Sequence, residues 1–214
     1  MRVIFGGTFD PVHIGHLRMA NELSTALSVE KVYLMPCFEA VHKKEVGASA
    51  GHRLNMLNLS LSGRGSLSVD IREIERGKPS YTIDSLKDIR KEVGDESLCI
   101  VMGTDSAKSL SFWKGVAEFA TLTNIIVIRR STDEPLEINS ITCDDSLLAL
   151  GFHQAESITD LKQSCAGKFF RLDLSELDIS STAIRESVQQ KKSVRYLVTD
   201  AVNEYICDNT LYCH

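Results

Sequence analysis

The string Gly6-Gly7-Thr8-Phe9-Asp10-Pro11-Val12-His13-Ile14-Gly15-His16 gathers residue types that handle phosphate. Paired glycines let backbone approach a ligand that a side chain would hold off. A helix that starts within the string offers unpaired N–H groups and the positive end of its dipole, both suited to an anion. His13 and His16 are three residues apart, so both imidazoles can face one side of the first helical turn. There they can donate to phosphate oxygens or, as the weaker option, bind a metal. The Gly-Gly pair alone reads as an ordinary turn; the full string between strand and helix reads as a phosphate cradle. It has neither P-loop spacing nor the Gly-x-Gly-x-x-Gly spacing of a dinucleotide fingerprint.

A second string, Ile179-Ser180-Ser181-Thr182-Ala183-Ile184-Arg185, lies some 170 residues downstream. Ser-Ser-Thr before a helix is a good N-cap cluster, with Glu186 available in the first turn or two. Taken alone, that capping role accounts for it, and Arg185 is one exposed arginine among many. Beside the upstream string, the same helix start reads as a second phosphate cradle with Arg185 as a two-pronged charge clamp. The cysteines at 37, 99, 143, 165, 207 and 213 form no C-x-x-C pair and have no partnered histidine spacing. No zinc site, and no other protein-held metal, is expected. Cys99 lies in an apolar run and reads as a small core residue.

These groups need a scaffold, and the apolar pattern supplies one. Arg2–Phe5, Lys31–Met35, Leu98–Met102 and Asn124–Ile128 are short, β-rich runs bounded by turn residues. Leu17, Ala20, Leu23 and Leu27 share one helical face; Ile83, Leu86, Ile89 and Val93 repeat the pattern before Gly94 stops it. Strands alternating with helices predict an α/β fold with a doubly wound, mostly parallel sheet and helices on both faces. In such a sheet, distant segments meet at the carboxyl ends of the strands, where ligands bind. Residues 1–214 are read as a single domain, with the irregular 131–168 stretch as a peripheral insertion. With 43% hydrophobic and 25% charged residues, the 214-residue chain is ordinary globular protein rather than disordered or linker-like. A net charge of −5 argues against a general nucleic-acid or membrane-surface binder and leaves room for a local basic pocket. No apolar run reaches the length of a signal-peptide core or a membrane span. A reduced, cytoplasmic, soluble protein is expected.

GGTFDPVHIGH resembles the signature of the nucleotidyltransferase α/β-phosphodiesterase superfamily, whose hallmark is H-x-G-H after strand one. ISSTAIR resembles its second mark, I-S-S-T-x-x-R. Three further segments resemble bacterial nicotinate-nucleotide adenylyltransferases. Pro79-Ser80-Tyr81-Thr82-Ile83-Asp84-Ser85-Leu86 is similar to their P-S-Y-T-x-x-T/S-L string, and Gly103-Thr104-Asp105-Ser106 to their G-x-D-S turn. Trp113 stands eight residues past Asp105, where the family carries an aromatic residue. With Ile128-Arg129-Arg130, the matches span nearly the whole chain. Each segment also has a plain structural reading: Tyr81 and Thr82 could start a helix, Asp105 could cap one, and Trp113 could be a buried anchor. The loop Pro36-Cys37-Phe38-Glu39-Ala40-Val41-His42-Lys43-Lys44 keeps the family's His-Lys, but Ala40-Val41 replace its proline pair.

The resemblance implies a Rossmann-like fold and adenylyl transfer from ATP to nicotinate mononucleotide, giving deamido-NAD and pyrophosphate. The acceptor's phosphate is already ionised at pH 7, so no catalytic triad or paired carboxylates are expected. It further implies His16 as the main donor to the α-phosphate, His13 in support, and Lys43 and Arg185 against the departing pyrophosphate. ATP would be held by Gly6, Gly7, Thr8, Phe9, His13, His16, Gly103, Asp105, Ile179, Ser180, Ser181, Thr182 and Arg185. The mononucleotide would meet Thr8, Lys43, Tyr81, Thr82, Trp113 and Arg129. Mg²⁺ would arrive on the ATP phosphates. The expected partners are these two small molecules, with no nucleic acid or membrane, in a monomer or weak homo-oligomer. Two other readings stand beside this one: the same chemistry on another phosphate acceptor, such as nicotinamide mononucleotide, and a non-catalytic nucleotide-binding module.

Overall fold

Val3 and Ile4 are buried in the first strand, β1 (Arg2–Gly7), where the chain is apolar enough to be covered on both faces. The strands that follow are β2 (Val32–Pro36), β3 (Glu39–Ala40), β4 (Leu67–Val69), β5 (Pro79–Ser80), β6 (Leu98–Gly103), β7 (Asn124–Arg129), β8 (His153–Gln154) and β9 (Lys168–Asp173). The helices are α1 (Ile14–Ala26), α2 (Ala50–Leu61), α3 (Arg72–Arg76), α4 (Thr82–Val93), α5 (Thr104–Lys108), α6 (Phe119–Leu122), α7 (Cys143–Ala149), α8 (Ile158–Gln163), α9 (Ser181–Gln189) and α10 (Asp200–Asp208). The computed structural model describes residues 1–40, 47–63, 65–129, 143–175 and 177–213. The chain divides into two compact units, Met1–Gly6 with Tyr81–Leu174 and Gly7–Ser80 with Ser175–His214.

In the first unit the strands lie in the order β1-β6-β7-β9-β8, each pair parallel. Val3 faces Cys99, Cys99 faces Asn124, and Ile125 faces Phe169 across this ladder. The central strands are near-continuous apolar runs, as parallel sheets covered on both faces require, with Ile125, Ile126 and Phe169 fully buried. In the second unit β2 pairs with β4 and β3 with β5, again in parallel. Helices α1 and α2 pack against β2 and β4, and α10 packs on α2. Each of these pairings is parallel, as the strand–helix alternation predicts, and the four predicted strands and two predicted helices all form.

The 131–168 stretch departs from its reading as a peripheral insertion. Residues 131–142 lie outside the described residues, but the remainder enters the core of the first unit. Leu147 of α7, Phe152 and Leu161 of α8 are fully buried, and β8 extends the parallel ladder beside β9. Elements this short carry too few turns for a helical period to emerge from the sequence.

Candidate active site

His13 is the N-cap of α1, in extended backbone, and His16 is its third helical residue. The two form a reciprocal capping box in which both acceptors are imidazoles. The His16 amide donates to His13 Nδ1 at 3.4 Å, and the His13 amide donates to His16 Nδ1 at 3.2 Å. The rings stack with centroids 3.6 Å apart. With each Nδ1 accepting, the hydrogen-bond pattern assigns the ring N–H to Nε2, directed away from the helix backbone. Burial pushes the His13 imidazole down to about 4, so it is a neutral donor at pH 7. Phe9 sets its ring edge-on against His16 at 5.1 Å and is itself buried. Its backbone is left-handed, with φ of 50°, a strained state for a bulky residue. Gly7 answers to that ring: a Cβ there would lie 2.9 Å from the tip of Phe9.

Asp10, next in the string, is a buried carboxylate. Its Oδ2 accepts from the Gly47 amide at 2.7 Å, and its Oδ1 from the Ala48 amide at 3.1 Å and the Tyr212 hydroxyl at 2.7 Å. Arg185 Nη1 donates to the Asp10 carbonyl at 2.8 Å and stands 3.8 Å from its Oδ2. Arg185 Nη2 reaches the Thr182 hydroxyl at 3.3 Å. The serine string divides its labour. Ser180 is the N-cap of α9, accepting from the Ala183 amide at 3.1 Å, while Ser181 donates to the Pro11 carbonyl at 3.0 Å. Ile179 lies beside Gly15, whose added Cβ would meet it at 3.8 Å. The two strings, distant in sequence, are therefore joined: α9 fastens by Ser181 and Arg185 to the loop that leads into α1.

Arg53 of α2 is fully buried, and sequence reading passed it over. It donates to the carbonyls of Thr8 at 2.8 Å, Phe38 at 2.8 Å and Ala48 at 3.3 Å, and to Cys37 Sγ at 3.8 Å. One guanidinium thus satisfies buried backbone acceptors of three separate segments. Burial also pushes the Cys37 thiol up, so it is no reactive thiolate.

Apart from Lys43, the remaining expected residues fall in the first unit. Gly103 is the N-cap of α5, so Asp105 lies exposed within the first turn and does not cap the helix. Thr104 donates from its hydroxyl to the Ile128 carbonyl at 3.3 Å. Thr82 opens α4 after Tyr81, which provides no side-chain cap. Trp113 is half-buried rather than a fully buried anchor, and its ring meets Phe119 edge-on at 6.4 Å. Lys114 places its ammonium 4.0 Å over the Tyr81 ring. Gly6 ends the first unit's part of β1, where an added Cβ would meet nothing within 4 Å. Arg129 is the last residue of β7. Lys43 and His42 lie outside the described residues. Among the described residues, no group of three or more His, Cys, Asp or Glu could hold a metal ion. None of their helices is long and apolar enough to cross a membrane.

The cytidylyltransferase-like family model matches residues 4–187, which contain both phosphate strings. A protein of Methylococcus capsulatus named "Probable nicotinate-nucleotide adenylyltransferase" is 37% identical over 210 residues, covering 98% of each chain. One of Cellvibrio japonicus is 40% identical over 210 residues, covering 98% of this chain and 97% of its own. The nicotinic acid mononucleotide adenylyltransferase of Plasmodium falciparum, solved in complex with NaAD, shares the fold. Its TM-score is 0.71 at 17% identity, over 98% of this chain and 96% of that one. The imidazole pair at the start of α1, the arginine that α9 ties to the same loop and this full-length similarity agree: the chain belongs to the cytidylyltransferase-like family, among its nicotinate-nucleotide adenylyltransferases.

Proposed function

We propose that the chain transfers the adenylyl group of ATP to nicotinate mononucleotide, yielding deamido-NAD and pyrophosphate in NAD biosynthesis. The observation that carries the chemistry is the His13–His16 box, with two Nε2–H donors at the positive end of α1 and Arg185 fastened to the same loop. An ionised phosphate oxygen of the mononucleotide attacks the α-phosphorus, and the bond to the bridging oxygen of pyrophosphate breaks in line. Such a reaction needs positioning and charge stabilisation rather than a base. His16 donates to the α-phosphate as charge builds, His13 supports it, and Arg185 with Lys43 neutralises the leaving pyrophosphate. The amides of Gly6, Gly7, Thr8 and Phe9 line the approach, and Ile179, Ser180, Ser181 and Thr182 hold the second anion site.

The family resemblance assigns Gly103 and Asp105 to the adenosine, and Thr8, Tyr81, Thr82, Trp113 and Arg129 to the mononucleotide. The cradle's polar chemistry is N–H donors and a guanidinium, which suits phosphate rather than a bare cation. Both oxygens of its buried carboxylate, Asp10, already accept from amides and Tyr212. Mg²⁺ therefore comes bound to ATP, keeping most of its waters. The free thiols of Cys37, Cys99, Cys165, Cys207 and Cys213 accord with a reducing cytoplasm. The test is pyrophosphate release from ATP and Mg²⁺ with a panel of acceptors: nicotinate mononucleotide, nicotinamide mononucleotide and an unrelated phosphomonoester. Release should be fastest with the first. Release with none of the three would overturn the assignment.

A further inference from the structure

Asp10 puts a buried negative charge inside a cradle built for a polyanion. An unsatisfied carboxylate there would repel the triphosphate and draw the guanidinium of Arg185 onto itself. Arg185 instead stands 3.8 Å from Oδ2, at the long limit of an ion pair, and spends a hydrogen bond on the Asp10 backbone carbonyl. Two amides and one side chain hydrogen-bond the carboxylate, and that side chain is Tyr212, at 2.7 Å from Oδ1.

Three features mark Tyr212 as more than filler. It follows α10, more than two hundred positions from Asp10, and its ring is nonetheless buried. Its backbone is left-handed, φ 62°, which a bulky residue adopts only where its surroundings impose it. Its ring and the Arg185 side chain also share one space beside Gly47. A Cβ on Gly47 would lie 2.8 Å from the Tyr212 ring and 2.9 Å from Arg185 Cδ. Burial and the Asp10 charge push the pKa of the phenol up, so it stays protonated and donates.

We propose that Tyr212 is a positioning residue for ATP: its hydroxyl satisfies the Asp10 carboxylate and its ring buttresses Arg185, which leaves the guanidinium directed at phosphate. Tyr212 touches no substrate; it acts through Asp10 and Arg185. The proposal rests on the adenylyl-transfer reading only in taking ATP as the ligand of this cradle.

The test is equilibrium binding of ATP with Mg²⁺ to the full chain, with no acceptor present. The proteins are the wild type, Tyr212→Phe, Arg185→Ala and the double variant, with steady-state kinetics alongside. Tyr212→Phe keeps the ring and removes one hydrogen bond to a charged group, so ATP binding should weaken roughly tenfold. The KM for nicotinate mononucleotide should stay within about twofold, because the defect lies on the triphosphate side. In the Arg185→Ala background the same change should cost clearly less than in the wild type, because the arginine is gone and only the repulsion between the Asp10 carboxylate and the triphosphate remains. Gly47→Ala, whose added Cβ would press on both the Tyr212 ring and the Arg185 side chain, should reproduce the selective loss of ATP affinity and gives a second route should Tyr212→Phe fold poorly. ATP affinity kept within twofold in Tyr212→Phe, or a tenfold loss that multiplies undiminished with Arg185→Ala, would overturn the proposal. A wild type that binds ATP but transfers nothing to pyridine mononucleotides would sink the functional reading and leave this one standing.

Discussion

His16 is the residue on which the proposed chemistry turns. Its ring is fixed by an amide on Nδ1, a stacked partner on one face and the edge of Phe9. The Nε2–H is thus a preorganised donor, and its worth is greatest where charge develops on the α-phosphate. His16→Ala should lower kcat by roughly 10²–10³-fold with a much smaller change in the KM for ATP. A folded variant with near-normal kcat would remove His16 from the mechanism. Arg185 poses a different question, because it also holds Asp10 and Thr182. Arg185→Lys keeps the charge and loses the fork. If the fork grips phosphate, activity should fall with little change in Tm; a large drop in Tm with activity preserved per folded molecule would make the residue structural. The pairing of the two histidines on the first turn of α1 and the helix cap of the serine string were legible because both are written in short spacings. Asp10, Arg53 and Tyr212 were not. Asp10 passes for a turn residue and Arg53 for a surface arginine of an ordinary helix, and Tyr212 meets its partner across a separation that no local pattern encodes.

At the scale of elements, α1 stakes its start on a histidine. The native imidazole of His13 titrates near 4 because it is buried, against an ordinary value of 6.5. Between those values the unfolded chain binds a proton that the native chain does not. The stability His13 contributes is therefore complete above about pH 6.5 and is lost as the pH falls toward 4, by about 3 kcal/mol over the full window. His13→Asn keeps an N-cap acceptor and removes the titration. Its Tm should fall less steeply than that of the wild type between pH 6.5 and 4, as measured by thermal melts at fixed ionic strength. Parallel acid limbs in the two proteins would show that the protonation cost lies elsewhere. The helix α9 shows the other side of legibility. Ser180 caps it as the sequence reading held, and the same helix also braces the first loop through Ser181. Asp105 went the other way: glycine took the cap, since α5 begins two residues earlier than the Asp-Ser pair suggests.

At the scale of the molecule, strand–helix alternation was legible because parallel β-strands are unbroken apolar runs and amphipathic helices repeat every three or four residues. The stretch after residue 142 was not, because its elements are short and polar outside a few buried anchors such as Phe152 and Leu161. The whole chain's remaining question is which pyridine it accepts. Nicotinate and nicotinamide mononucleotides differ by a ring carboxylate against a neutral amide of nearly the same shape, so discrimination must come from polar donors. The first turn of α4 opens at Thr82 with no side-chain cap, which leaves its leading N–H groups and positive dipole end suited to an anion. In the same unit, Lys114 adds a positive charge above the Tyr81 ring that precedes that turn. Facing an amide, these donors would meet an NH₂ group and at least one would go unsatisfied. Each such mismatch costs about 1–3 kcal/mol, so two give a preference of roughly 10²–10⁴-fold. We expect kcat/KM for nicotinate mononucleotide to exceed that for the nicotinamide form by at least about 10², measured at saturating ATP and Mg²⁺. Lys114→Met should narrow the gap by weakening the acid alone. Equal kcat/KM for the two mononucleotides in the wild type would mean that the start of α4 does not read the ring substituent, and would return the choice of acceptor to the wider family.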